Sequence, residues 1–168
     1  MQLKASIRFT NNEQAEFFST LRKRVDTYFR DNKISPHANA QMIIKSIMLL
    51  SAYLVPYFFI LFVPLPFWLL ATMWSVMGFA LAGVGMSVMH DANHGSYSSN
   101  KTINNIMGYT LNVLGGAVFN WKLQHNVLHH TYTNIVHMDE DIEDKLIMRF
   151  SPHTELRWYH KFQWVYAF

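Results

Sequence analysis

The sequence predicts an all-α integral membrane protein, in which a hairpin of two transmembrane helices leads into cytoplasmic helices that carry histidines. Residues 46–89 contain no Asp, Glu, Lys or Arg. This run is about twice the roughly 20 residues that a helix needs to cross a bilayer, so it predicts two crossings. The flanks, residues 1–45 and 90–168, are polar. We therefore expect an N-terminal cytoplasmic or interfacial segment, a membrane hairpin and a cytoplasmic histidine region.

The N-terminal segment is predicted to form an amphipathic helix over about residues 11–31. Thr10 and Glu13 have the spacing of a capping box. The apolar residues that follow recur at helical spacing and are Phe17, Phe18, Leu21, Val25, Tyr28 and Phe29. The opposite side carries Arg22, Lys23 and Arg30. Such a helix either lies on the membrane surface or packs against the protein, and the sequence leaves both open.

The membrane hairpin is predicted to comprise residues 46–63, kinked at Pro56, and residues 67–89. Gly78 and Ala82 in the second crossing have a spacing that favours close helix contact. Basic residues cluster before the first crossing, at Arg22, Lys23, Arg24, Arg30, Lys33 and Lys45, and the connecting turn has none. The positive-inside rule then places both polar flanks in the cytoplasm.

The segment between the two histidine groups, residues 103–119, is mostly apolar but short and interrupted by glycines. We expect it to be interfacial or buried rather than spanning, so that both groups lie at the same membrane face. Further along, Ser151-Pro152 predicts a helix start. Aromatic residues concentrate in residues 158–168, as in a membrane-interface belt.

Five histidines in two groups predict a metal site. They occur as His90-Asp-Ala-Asn-His94 and His125-Asn-Val-Leu-His129-His130. At about 100° per residue, His90 and His94 share one helix face, as do His125 and His129, so each pair can bind one ion. His130 points about 100° away from His129 and can reach a second metal. Imidazole suits iron, zinc or copper, and the absence of cysteine excludes disulfides, thiolate ligands and a Cys-held iron–sulfur cluster.

The other histidines and the acidic run are expected to lie outside the ligand set. His37, His153 and His160 have no histidine neighbours in sequence and are expected to be surface or interfacial residues. His137 is close enough to the second group to be an outer partner. Residues 139–144 are expected to form a solvated loop rather than a metal tract, because hard oxygen ligands compete poorly for an imidazole-preferring metal.

From His90 to Asp141 the chain resembles the membrane fatty acid desaturases, whose di-iron site is held by histidines in three boxes. The first box matches at His90, Asp91 and His94, and the second at His125, His129 and His130. The surrounding residues 95–98, 108–112, 121–125 and 130–134 are most similar to bacterial relatives of the acyl-CoA and acyl-lipid desaturases, of the linoleoyl-CoA desaturase-like type.

Two features differ from the familiar family pattern. Three residues separate His125 from His129, where His-x-x-His-His is most common. The third box, expected as His/Gln-x-x-His-His after two further crossings, is missing, since no His-His pair follows His130. The chain therefore resembles the front portion of a four-crossing desaturase domain, and by itself we expect weak or no activity.

The resemblance implies that the five histidines ligate iron, with two ions per complete site, and that O₂ is used to desaturate a fatty acyl chain. An unactivated C–H bond offers no acidic proton, so a strong oxidant must start this reaction, and no separate protein acid, base or nucleophile is expected. The implied partners are an acyl-CoA or acyl-lipid substrate, membrane lipids and a ferredoxin or cytochrome b5-like electron donor, without nucleic acid. The implied location is the bacterial inner membrane, with the histidines on its cytoplasmic side.

Two alternatives remain open. A histidine-box hydroxylase or ketolase would insert oxygen instead of forming a double bond. A non-catalytic membrane subunit that binds haem or metal would carry electrons, and a Soret band would identify the haem form. A zinc peptidase is disfavoured, because Asp91 stands where its His-Glu-x-x-His motif needs a glutamate as general base.

Overall fold

The computed structural model describes residues 15–143, 145 and 147–167, which form helices, turns and loops without a β-strand. The predicted all-α fold is thus confirmed for this part of the chain. The first described helix, α1, spans Ala15–Asp31 and coincides with the predicted amphipathic segment. The capping box predicted at Thr10 and Glu13 lies outside the described residues.

Two helices are long and apolar enough to cross a membrane, α2 at Ala40–Phe62 and α3 at Phe67–Asn93. Helix α2 begins before the predicted position, because the Asn39 side chain accepts a hydrogen bond from the Met42 N–H and caps it. The helix continues through Pro56 to its end. The two helices pack antiparallel as a hairpin and leave most of their apolar surface exposed, as expected of helices that contact lipid.

The second crossing extends beyond its predicted end at residue 89. Its segment Val84–Met89 is π-helical, and a last α-helical turn, His90–Asn93, follows. The buried core cluster includes residues of this π-helical segment and of the chain that follows it, namely Val84, Val88, Ala92 and Tyr97. The predicted close approach at Gly78 is wrong, because a Cβ there would meet nothing within 4 Å. The close approach is at Gly83, where an added Cβ would lie 2.6 Å from Leu49 Cδ2 of α2.

Short helices follow the hairpin, α4 at Lys101–Gly108 and α5 at Thr110–Val113. Neither is long enough to span a bilayer, in agreement with the prediction for residues 103–119. After a turn at Gly115 with φ of +90°, helix α6 occupies residues 118–132. Its middle part, Lys122–His129, is π-helical.

The chain ends in a long loop and two short helical turns, a 3₁₀ turn at Trp158–Phe162 and helix α7 at Gln163–Tyr166. The predicted helix start at Ser151-Pro152 is wrong. The Ser151 carbonyl instead closes a turn by accepting hydrogen bonds from the N–H and Oγ1 of Thr154.

Candidate metal centre

The structure brings all five predicted histidines together. His90 and His94 lie at the end of α3, and His125, His129 and His130 lie on α6. The ring centroids of His90 and His94 are 5.2 and 5.3 Å from that of His125, and His94 is 4.9 Å from His130. Rings from the two groups therefore form one continuous cluster.

The ring nitrogens are close enough to share an ion. One nitrogen each from His90, His94 and His125 lie within 4.8 Å of one another. His125, His129 and Asp141 form a second set that meets the same limit. His125 thus belongs to both sets and lies at the centre of the cluster.

The π-helical winding of α6 gives the second group a geometry that an α-helix would not. In a π-helix the hydrogen bond runs from residue i to i+5, so a turn takes more than four residues. His129 and His130 consequently both approach His125, at centroid distances of 5.1 and 4.9 Å. His130 faces the common cluster rather than turning away from it.

Carboxylates lie at the Nδ1 side of these rings. Asp139 Oδ1 is 2.9 Å from His129 Nδ1, and Asp91 Oδ1 is 3.1 Å from His90 Nδ1. Asp141 Oδ2 lies 3.2 Å from His129 Nδ1 and 3.8 Å from His125 Nδ1. An ionised carboxylate only accepts hydrogen bonds, so these contacts favour a proton on Nδ1 and leave Nε2 free to bind a metal.

Asp139 was missed by the sequence analysis. The expectation that residues 139–144 form a solvated loop is wrong at this position, because Asp139 is 0% exposed. Burial acts to raise the pKa of the Asp139 carboxyl, but hydrogen bonds from His129 and from the N–H groups of Asn134 and Asp141 hold it below its ordinary value. No sequence spacing pointed to Asp139. The only hint was chemical, because metal-bound histidines usually donate their other ring N–H to a carboxylate and Asp139 is an acidic residue near the second histidine group.

The electrostatics of the cluster favour uncharged imidazole. Burial lowers the pKa of the His94 and His125 rings, and the neighbouring histidines lower it further by mutual repulsion. Both effects favour the neutral form of these rings, which is the form that binds metal.

One buried atom supports the fit of a metal. His125 Nε2 is buried and has no hydrogen-bond partner among the residues that the structure describes. A buried polar atom without a partner is costly, and a metal would satisfy it. The Trp121 ring stacks on the His125 ring, with the centroids 4.5 Å apart, and covers one face of that ring. Its position four residues before His125 was the sequence signal for this contact.

The other histidines lie elsewhere. The expectation for His137 as an outer partner is wrong, since its side chain is 85% exposed and faces Glu143. His153 is exposed, as expected. His37 is partly buried, with Nδ1 3.1 Å from the Ser96 carbonyl. His160 is buried and its Nδ1 accepts a hydrogen bond from the Arg157 N–H, so the surface expectation is wrong for this residue.

Comparison with known proteins places these observations in a family. The profile described as "Fatty acid desaturase" matches residues 66–168. The chain is 38% identical over 147 residues to "sn-1 linoleoyl-lipid 6-desaturase" of Arthrospira platensis, covering 88% of this chain and 40% of that protein. It is 36% identical over 170 residues to "Acyl-lipid (8-3)-desaturase" of Physcomitrium patens, covering 97% and 34%.

A third relative, "sn-1 linoleoyl-lipid 6-desaturase" of Synechocystis sp., is 36% identical over 160 residues, covering 95% of this chain and 44% of that protein. No solved structure matches the chain. The chain thus spans less than half the length of these relatives. The family profile covers more than half of the chain and includes both histidine groups, so the chain belongs to the fatty acid desaturase family.

Proposed function

We propose that the protein containing this chain introduces a double bond into a fatty acyl chain carried on a membrane lipid, using O₂ and a histidine-ligated di-iron centre. The convergence of five histidine rings from two helices carries this proposal. The names of the relatives, which specify acyl-lipid substrates, favour a lipid-linked acyl chain over an acyl-CoA. Because the chain spans less than half of those relatives, the activity is proposed for the whole protein.

The residues proposed to hold iron are His90, His94, His125, His129 and His130. When bound, iron with O₂ would supply the strong oxidant that an unactivated methylene requires. The chain's own part is to present neutral imidazoles, to shield the cluster with Trp121 and to hold the acyl chain along the apolar hairpin. Since a C–H bond offers no proton to abstract at neutral pH, none of these residues needs to act as an acid or base.

The position of the centre is proposed from the charge distribution. Basic residues before α2 favour the cytoplasmic side for both polar flanks, and the similarity to bacterial relatives favours the inner membrane. The reduction of O₂ needs electrons, and the chain has no cysteine to hold an iron–sulfur cluster. We propose a ferredoxin or a cytochrome b5-like protein as the donor.

The metal site can be tested on the chain itself. The purified chain in detergent is titrated anaerobically with Fe²⁺, together with the variants His125→Ala and His153→Ala. We expect His125→Ala to weaken binding at least about tenfold, since even outer partners of a metal contribute that much. His153 is exposed and outside the cluster, so its replacement is the matched control. Equal iron binding by all three proteins would contradict the proposed site.

The reaction is tested with the whole gene product. It is expressed in a bacterial host supplied with linoleate, and the fatty acids of the membrane lipids are analysed by gas chromatography and mass spectrometry. A new double bond supports the proposal, whereas an alcohol or ketone would indicate a hydroxylase or ketolase. A Soret band on the purified protein without any new product would indicate a haem-binding subunit.

A further inference from the structure

We infer that Asp139 is a positioning residue, which fixes the His129 ring so that its Nε2 faces the metal site. Its Oδ1 lies 2.9 Å from His129 Nδ1. The inference rests on the proposed metal-binding function and adds to it a residue outside the histidine groups. A carboxylate in this place locks both the rotation of the ring and the position of its proton.

The burial of Asp139 argues for a specific role. The residue is 0% exposed, and a buried carboxylate is costly unless hydrogen bonds compensate for the lost water. It receives three such bonds, from His129 Nδ1, from the Asn134 N–H at 2.8 Å and from the Asp141 N–H at 3.0 Å. The only side chain among these donors is His129, a predicted ligand.

The loop around Asp139 holds the carboxylate in place. The Asp139 N–H donates to the Ile135 carbonyl at 3.0 Å, and Asn134 adopts a left-handed φ of +64° that closes the turn after α6. The protein's own hydrogen bonds therefore hold both the backbone and the carboxylate oxygens of Asp139. Asp141 Oδ2 also lies 3.2 Å from His129 Nδ1, but its side chain is 56% exposed, so water competes with it for this contact.

The first experiment compares Asp139→Asn with Glu140→Gln in the purified chain, using Co²⁺ absorption spectra to measure metal affinity. Both variants convert a carboxylate of the same loop into an amide. Glu140 contacts Gln124 in the described structure and is exposed. We expect Asp139→Asn to raise the Kd for Co²⁺ about 10- to 100-fold, as for other outer partners of metal ligands, and Glu140→Gln to leave it within about twofold.

A double-mutant cycle with His129→Ala separates positioning from general destabilisation. If Asp139 acts through His129, Asp139→Asn has little further effect on Co²⁺ affinity once His129 is gone. Equal affinities for Asp139→Asn and Glu140→Gln would overturn the inference. An effect of full size in the His129→Ala background would overturn it as well, because Asp139 would then act on the site without His129.

A second measurement needs neither metal nor a folded variant. The ¹⁵N chemical shifts of the His129 ring in the metal-free wild-type chain report which nitrogen carries the proton. A proton on Nδ1 supports the inference, and a proton on Nε2 overturns it even if Co²⁺ binds. Failure of the wild-type chain to bind Co²⁺ would instead count against the proposed function, while the ring shifts would still decide the role of Asp139.

Discussion

At the scale of single residues, one buried hydrogen bond ties the segment after the first histidine group to the membrane hairpin. The Tyr97 hydroxyl donates to Ser46 Oγ at 2.9 Å, and Ser46 Oγ donates in turn to the Met42 carbonyl. Tyr97 is 8% exposed and Ser46 is 2% exposed. The Tyr97 carbonyl also accepts a hydrogen bond from the Ala38 N–H. Tyr97 therefore fixes the end of α3 against the start of α2.

We predict that Tyr97→Phe lowers the free energy of unfolding by about 1 kcal/mol, the usual net value of one buried hydrogen bond. Ser46 Oγ keeps its bond to Met42, so no buried donor is left unsatisfied and the loss stays moderate. Thermal unfolding in detergent measures the effect, with Tyr109→Phe as the control, since Tyr109 is 61% exposed. Equal melting temperatures for the two variants would contradict the prediction.

The residues of the site were predictable to different degrees. The five histidines share an uncommon side chain and a helical spacing, so the sequence alone indicated that they converge. Asp139 follows His129 by ten residues through an irregular loop, and no periodicity links the two. His160 is also buried, and its Nδ1 accepts a hydrogen bond from the Arg157 N–H at the start of the 3₁₀ turn; its isolation from the other histidines gave no hint of this contact. Ligands on regular helices were thus predictable, and partners supplied by loops were not.

At the scale of elements, Asn93 connects three helices at the histidine cluster. It ends α3, its Nδ2 lies 3.4 Å from the Gly108 carbonyl of α4, and its own carbonyl accepts a hydrogen bond from Asn126 of α6. A Cβ at Gly108 would collide with the Asn93 amide. The close approach of α4 to α3 therefore requires a glycine at this position.

We predict that Gly108→Ala destabilises the protein by about 1–3 kcal/mol, the usual cost of overpacking a buried contact. Gly78→Ala is the matched control, because its added Cβ meets nothing within 4 Å and alanine favours the helix. Thermal unfolding in detergent compares the two substitutions. If the Gly108→Ala variant melted at or above the melting temperature of Gly78→Ala, the close contact with Asn93 would not control stability and the prediction would be wrong.

The helices themselves were predicted more reliably than their internal geometry. The charge-free run of residues 46–89 marks the two crossings because bilayer thickness sets helix length. The π-helical segments at Val84–Met89 and Lys122–His129 have no such signal, since one or two widened turns leave no repeating pattern of apolar residues. The close approach at Gly83 rather than Gly78 likewise depends on how α2 and α3 are rotated against each other.

Helix α1 has an exposed apolar face that fits a membrane surface. Phe17 and Phe18 are 63% and 59% exposed, and Leu21 is 45% exposed. We predict that a fluorescent label at Leu21→Cys enters lipid, whereas one at Ser19→Cys stays in water, because two residues differ by about 200° around a helix. The chain has no cysteine, so each label occupies one site. Blue-shifted emission and quenching by spin-labelled lipid in nanodiscs should occur at position 21 alone, and equal responses would indicate that α1 packs against protein.

At the scale of the whole molecule, direct contacts join the N-terminal flank to the histidine region. The His37 Nδ1 lies 3.1 Å from the Ser96 carbonyl, and the Ala38 N–H donates to the Tyr97 carbonyl at 3.0 Å. Along the chain, His37 and Ala38 lie just before α2, whereas Ser96 and Tyr97 lie just after α3. A hairpin of two crossings returns the chain to its starting side, so the contacts agree with the topology that the basic residues predict.

This topology predicts a definite pattern of chemical accessibility. Cysteines are introduced singly into the flanks, as Ile34→Cys and Ser99→Cys, and into the hairpin turn, as Leu65→Cys. We expect a membrane-impermeant maleimide to label positions 34 and 99 in inside-out bacterial vesicles and position 65 in right-side-out vesicles. The reason is that in the proposed topology the basic residues keep both flanks in the cytoplasm, while the turn carries no charge to hold it there. If positions 34 and 99 were labelled from opposite sides of the membrane, the N-terminal flank and the histidine region would lie on different sides. That result would contradict a hairpin that crosses the membrane twice.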